Sequence, residues 1–298
     1  MTDMQSVVRR EIAPIHFAVY FLAGVATVLL GPALPVLTRH WMISDAQAGL
    51  LFTVLFSGAI AGSIVSTYRP RACYWIGCGC CALALASIGY APWILAYMLF
   101  FLDGMGLGMI INAGNQFVTR VANASGKSGT GALAKIHFAW GVGALSCPWV
   151  LRAVIQASRV SIFFTLIGIA FAVLSAGLFI TNDDKTVEAR RPGMRKRMIM
   201  PFSTQVNFAA ALMLYSGMEN AISGWLPSYA LRIYGERASM SLGGFATVSS
   251  LSTLVLTLLW AAHLLGRALT PVVVEFIRES SLFAGTLVSL FFSLILLV

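Results

Sequence analysis

Charge is what this sequence has little of. Asp, Glu, Lys and Arg make up 10% of its 298 residues, against 58% hydrophobic side chains, and the mean hydropathy is +0.84. Soluble domains carry about 25% charged residues, so a soluble fold is excluded and an all-α polytopic membrane protein is expected. Acids are scarcer still within the apolar runs, where only Asp103 and Glu219 occur. So few polar groups cannot assemble a nucleophile, base and acid, or a metal-ligand set. No enzyme activity, cofactor or metal is therefore expected. The five cysteines, Cys73, Cys78, Cys80, Cys81 and Cys147, have no histidine or carboxylate close in sequence and read as small hydrophobes.

What is abundant is apolar sequence in long runs. A spanning helix needs about 20 residues, and nine runs qualify: 14–37, 46–66, 72–91, 92–119, 131–153, 161–180, 202–231, 242–266 and 281–298. The first follows Arg9 and Arg10 and is too long for a signal peptide, so it reads as a retained helix. Connections are short except 181–200, which is polar and basic. The expected organisation is a six-helix bundle over 1–180, a cytoplasmic linker over 181–200, and a partial second bundle over 201–298 holding helices 7 to 9. Because the last run reaches Val298 without a polar flank, that second bundle is expected to be incomplete.

The net charge of +9 reflects topology. With the N-terminus in the cytoplasm, only Arg39, Arg152, Arg159, Arg232 and Arg237 of the 20 basic residues fall outside, as the positive-inside rule requires. A multi-pass protein of the inner (plasma) membrane is expected, with lipid rather than nucleic acid around it. Arg195-Lys196-Arg197 fits a topology determinant or an anionic-lipid contact. Gly126-Lys127-Ser128 lacks the upstream glycine of a phosphate loop, and the Asn123-Ala124-Ser125 sequon falls on the cytoplasmic side.

Ionisable groups within spans are costly and mark functional sites. In the seventh run, Tyr215, Glu219 and Ser223 are spaced four apart and share a helical face, with Gly217, Gly224 and Pro227 allowing close packing, unwinding or a kink. Tyr20, Gly24, Gly31, Pro32 and Pro35 form a similar pattern in the first run, with the two glycines seven apart in both. Six helices, a basic loop and a restart is the layout of a two-bundle transporter. Glu219 and Asp103 both lie near the midplane, where transporters bind solutes and coupling ions. Each acid is either functional or satisfied by a neighbouring helix or a proton, since burial favours the neutral form of an acid.

In the fourth run Gly104, Gly108 and Asn115 share a face, with Asp103 about 120° away from Asn115. The glycine spacing means close packing, while Asn112, Asn115 and Gln116 are either hydroxyl ligands or interhelical bridges. In the fifth run His137, Trp140 and Gly141 share a face. An imidazole beside an indole can contact a sugar ring or relay a proton, or His137 bonds a neighbouring helix.

Four stretches resemble the major facilitator superfamily, and specifically its fucose permease and sodium-dependent glucose transporter branch. They are the fourth run through Asn115, the His137 to Pro148 segment, Tyr215 to Tyr229, and Leu264-Leu265-Gly266-Arg267. The resemblance implies twelve helices in two bundles and a secondary active transporter working by alternating access. Its solute would be small and polar, a sugar, with protons or sodium as coupling ion. Glu219, Asn115, His137, Trp140, Asn220, Trp225 and Tyr215 would contact the solute, and Glu219 and Asp103 are the candidates for proton coupling. Two positions depart from the family. Ile111 stands where fucose permease has its acid, and the loop after the second helix is cut to Thr67-Tyr68-Arg69-Pro70-Arg71. The alternatives are an exporter of amphipathic compounds on the same fold and a truncated, non-transporting remnant.

Overall fold

The computed structural model describes residues 12–156, 160–181, 201–241, 248–276 and 285. Eight helices lie among them: α1 (Pro14–Trp41), α2 (Asp45–Tyr68), α3 (Pro70–Ile88), α4 (Trp93–Ala124), α5 (Gly129–Gln156), α6 (Val160–Thr181), α7 (Phe202–Ser241) and α8 (Val248–Phe276). The expected ninth span, 281–298, apart from residue 285, and linker residues 182–200 lie outside the described residues.

Local signals set the ends. Pro14 occupies the first turn of α1, where the missing N–H costs nothing. The helix stops at Met42, which takes the left-handed conformation at φ 52° and donates from its cap N–H to the Thr38 carbonyl. A capping box then starts α2: the Ser44 N–H donates to Gln47 Oε1 at 2.8 Å, and the Gln47 N–H returns to Ser44 Oγ at 3.4 Å. Only Arg69 separates α2 from α3, and Pro70 opens the new helix. Several helices outrun the expected spans: α4 continues to Ala124 and α7 to Ser241. Apolar runs measure the hydrocarbon thickness, whereas helices continue to their caps. Gly126, at φ 69°, turns the chain between α4 and α5, so Gly126-Lys127-Ser128 is a helix connection.

Five described helices, α1 to α4 and α6, are long and apolar enough to cross a membrane. Among the described residues α5, α7 and α8 fall below that measure, with a shorter apolar stretch, Thr253–Gly266, in α8, and they carry His137, Glu219, Asn220 and His263.

The most extensive packing joins α2 to α4, α3 to α4, α1 to α5 and α3 to α6. Small residues make the first of these seams. Gly58 and Gly62 of α2 lie against the backbone of Phe101 and Met105, while Gly104 and Gly108 of α4 lie against that of Leu55 and Ala59. Reciprocal glycines at four-residue spacing let two helices touch along their backbones, as the spacing of Gly104 and Gly108 implies. The α1–α5 seam is built alike, with Gly24 under the Trp140 carbonyl and Gly143 under that of Phe21.

α7 and α8 pack on each other and reach the other six helices mainly through α1 and α5 respectively. The described side chains of α7 before Glu219 are exposed, whereas Ser223, Gly224, Pro227, Ser228 and Ala230 are buried. Burial begins where α7 crosses α1, with Gly31 against the backbone of Ser223 and Gly224. The Phe52 ring of α2 covers Gly224, and Gly217 has nothing beside it. Of the two glycines, then, only Gly224 serves packing. Of the alternatives open at Pro227, unwinding is not the one taken, because α7 is continuous through it.

Candidate functional site

Two polar clusters meet where α5 crosses α8. The first joins α1, α4 and α5. Tyr20, fully buried, donates its hydroxyl to Asn115 Oδ1 at 2.8 Å, and His137 Nε2 lies 3.0 Å from the same oxygen. An amide oxygen only accepts, so this arrangement takes His137 with a proton on Nε2. The Tyr20 and His137 rings stand edge to face at 5.5 Å, which fixes the imidazole plane.

The second cluster joins α7 and α8. Glu219 Oε1 lies 3.5 Å from His263 Nε2, and the Tyr215 hydroxyl lies 3.4 Å from that nitrogen. Tyr215 and Glu219 therefore do use one face of α7, as their four-residue spacing implies. His263 was not among the residues singled out from the sequence. Its signal was present: Trp260-x-x-His263 in an apolar run mirrors His137-x-x-Trp140, one helical turn in each case.

The indoles connect the clusters. Trp140 and Trp260 meet edge to face at 5.5 Å across the α5–α8 contact, and Trp260 also lies 5.6 Å from the His263 ring. Trp260 is 2% exposed, yet its Nε1 has no hydrogen-bond partner among the described residues. A buried N–H of this kind is costly unless something accepts from it. The Leu264 side chain occupies the space a side chain at Gly141 would need, bringing the two helices close at this level.

Other expected site residues lie elsewhere. Asn220 donates to the Ser216 carbonyl at 2.7 Å on its own helix. The Trp225 ring lies tilted against Phe52 of α2, with centroids 6.1 Å apart, nearly two turns beyond Glu219, in the wall between α7 and α2. Asp103 is buried against α3: its carbonyl is 3.6 Å from Cys81 Sγ, and its Oδ1 has no partner among the described residues. The structure does not bring Asp103 and Glu219 together. Of the three amides in α4, Asn112 donates to the Ser63 carbonyl and to Ser66 Oγ of α2, each at 2.8 Å, and Gln116 accepts from Arg120. Asn112 is thus a helix bridge, and Asn115 is the amide that meets His137.

Among the described residues no group of three or more His, Cys, Asp or Glu could hold a metal ion. The cysteines are free thiols within the helices, four of them buried. A groove of about 670 Å³ between α3 and α6, lined by Trp75, Leu83 and Phe179, lies on helices that contribute nothing to either polar cluster.

An all-α chain of membrane-crossing helices, with polar clusters where its helix groups meet, defines a multi-pass membrane carrier. The family model of the Major Facilitator Superfamily matches residues 17–298. The chain therefore belongs to this superfamily of secondary transporters. No curated protein matches it.

Proposed function

We propose that this protein moves a small polyhydroxylated solute, a sugar, by alternating access with proton coupling, and that it is a member of the fucose permease and sodium-dependent glucose transporter branch. The supporting observation is the pair of clusters, Tyr20–Asn115–His137 and Tyr215–Glu219–His263, joined through Trp140 and Trp260. Amide and imidazole donors opposite a carboxylate acceptor suit hydroxyl groups, and indole faces suit the apolar side of a sugar ring. Two helix groups contribute, so relative motion between them opens and closes the site, which is the requirement of alternating access.

In this reading Asn115, His137 and Trp140 bind from one bundle (1–180), and Glu219 and Tyr215 from the other (201–298). Asn220 and Trp225 shape α7 around the site. Glu219 carries the coupled proton in preference to Asp103, because Glu219 has an imidazole partner on the helix that meets α5 through Trp260. The protein sits in the inner membrane with its N-terminus in the cytoplasm, as the basic residues indicate.

The test is uptake of radiolabelled hexoses by proteoliposomes under an imposed proton gradient. Saturable accumulation that a Glu219→Gln protein cannot perform supports the reading. Full proton-driven accumulation by that variant removes the role of Glu219. Efflux of hydrophobic cations without hexose uptake turns the assignment to an exporter of amphipathic compounds.

A further inference from the structure

His263 places an imidazole nitrogen between two groups of unlike hydrogen-bonding capacity. The Glu219 carboxylate, 3.5 Å from Nε2, accepts only, whereas the Tyr215 hydroxyl, 3.4 Å from the same atom, can donate or accept. A bare Nε2 takes a hydrogen bond from Tyr215. A protonated Nε2 donates instead and turns to Glu219. One atom thus has a satisfactory partner in each protonation state. The side chains of His263 and Glu219 are 18% and 16% exposed, sheltered enough to feel each other and open enough for a proton to arrive.

The titratable groups that the described elements bring towards His263 are these. From α7 they are Glu219 and Tyr215. α5 meets α8 through Trp140 and Gly141, and the titratable residue one turn from Trp140, His137, is engaged with Asn115. On α8 itself Arg267 follows four residues later.

We propose that Glu219 and His263 act as one proton-carrying unit and that His263 is the positioning residue that sets when the Glu219 carboxylate is neutralised. The proposal rests on the reading of this site as the transport site. Loading adds one proton at Nε2 and takes the pair from a net charge of −1 to 0. Transfer of that proton from Nε2 to Glu219 Oε1 leaves neutral imidazole and neutral acid, with the total unchanged. Neutralisation removes the cost of carrying a net charge through an apolar barrier as the bundles move.

Trp260 supplies the readout, because its ring lies 5.6 Å from His263 and imidazolium quenches indole emission. The purified full chain is titrated by fluorescence in lipid nanodiscs. Subtracting His263→Gln from wild type isolates this component from the signal of the 7 tryptophans. The expected difference is a one-proton transition between about pH 5 and 8. Its midpoint falls by about one unit or more in Glu219→Gln, because the imidazolium loses its counter-ion. If His263→Gln does not give monodisperse protein, subtracting Trp260→Phe reads the same transition.

A flat difference curve, or a midpoint unmoved by Glu219→Gln, overturns the proposal. Binding of radiolabelled hexoses to the same samples separates it from the solute assignment. Hexose binding with a flat curve overturns the pair and leaves the solute standing. A Glu219-dependent transition without hexose binding supports the pair and removes the solute.

Discussion

Asp103 and Glu219 are the two carboxylates within the apolar runs, and the structure treats them in opposite ways. Asp103 lies 2% exposed in the α3–α4 seam, beside a glycine that touches the backbone of α2, with one oxygen lacking a partner among the described residues. Glu219 lies where α7 faces α8, paired with an imidazole and next to a tyrosine. Depth alone does not distinguish them. The neighbours do: tight helix packing and the Cys81 thiol surround one acid, and an imidazole and a phenol surround the other. The seam region should therefore respond to mutation through folding, and the α7–α8 region through transport.

The sharpest way to test that division is to put a side chain into the seam. A Cβ on Gly104 would collide with the Leu55 carbonyl, a backbone atom that cannot rotate away. Gly104→Val is expected to destabilise by on the order of 3 kcal/mol, read as loss of monodisperse protein or a large fall in thermal midpoint. If the protein folds normally with Val at 104, the backbone contact along this seam is not present in the membrane.

Glu219→Gln should behave in the opposite way. The substitution keeps the shape and removes the charge, so the thermal midpoint should stay near that of wild type. Proton-driven uptake should fall by about ten-fold or more, because the amide cannot take up the coupled proton. A parallel loss of stability would place Glu219 with Asp103 as a structural group and dissolve the contrast.

The contrast could be read only in part from the sequence. Helix positions follow from apolar runs, because hydrocarbon thickness fixes how much apolar sequence a helix needs. Gly104 and Gly108 announced a packing face by their spacing. Tyr215, Glu219, Asn115 and His137 stood out as polar residues in apolar surroundings. Their partners did not, since Tyr20 and Asn115 are 95 residues apart and no local period encodes that contact. His263 was within reach, as a lone ionisable residue in an apolar run, but the carboxylates drew attention away from it. Trp225 shows what spacing alone does not give: an indole near the acid in sequence whose rise along α7 carries it to the wall with α2.

A milder probe is Asp103→Asn, which keeps the volume and removes the carboxylate. Oδ1 has no partner among the described residues and the Cys81 thiol beside Asp103 is a weak donor, so little bonding is there to lose, and a neutral amide is easier to bury than a charge. The thermal midpoint should be unchanged or slightly raised, and proton-driven uptake should stay within about two-fold of wild type. Loss of coupling in Asp103→Asn would reverse the ranking of the two acids.

The smallest effect concerns the far end of α7, where Arg232 grips Asp45 at the start of α2. The guanidinium is bidentate, with Nη1 donating to Oδ2 at 2.8 Å and Nη2 to Oδ1. The side chains are 61% and 56% exposed, and water and salt screen such pairs strongly. Asp45→Asn should therefore leave the thermal midpoint unchanged within error. Position still gives the contact a consequence, because it ties α7 to α2 at the end where Gly31, Phe52 and Gly224 already close the gap. Breaking it should raise the reactivity of a cysteine at position 49, beside Trp225, towards a membrane-impermeant thiol reagent. Exchanging the charges, Asp45→Arg with Arg232→Asp, should restore protection. Equal reactivity in all three proteins would make the pair an ornament of the surface. A graded response would show that α7 closes one end of the site through backbone packing and only trims that closure with charge.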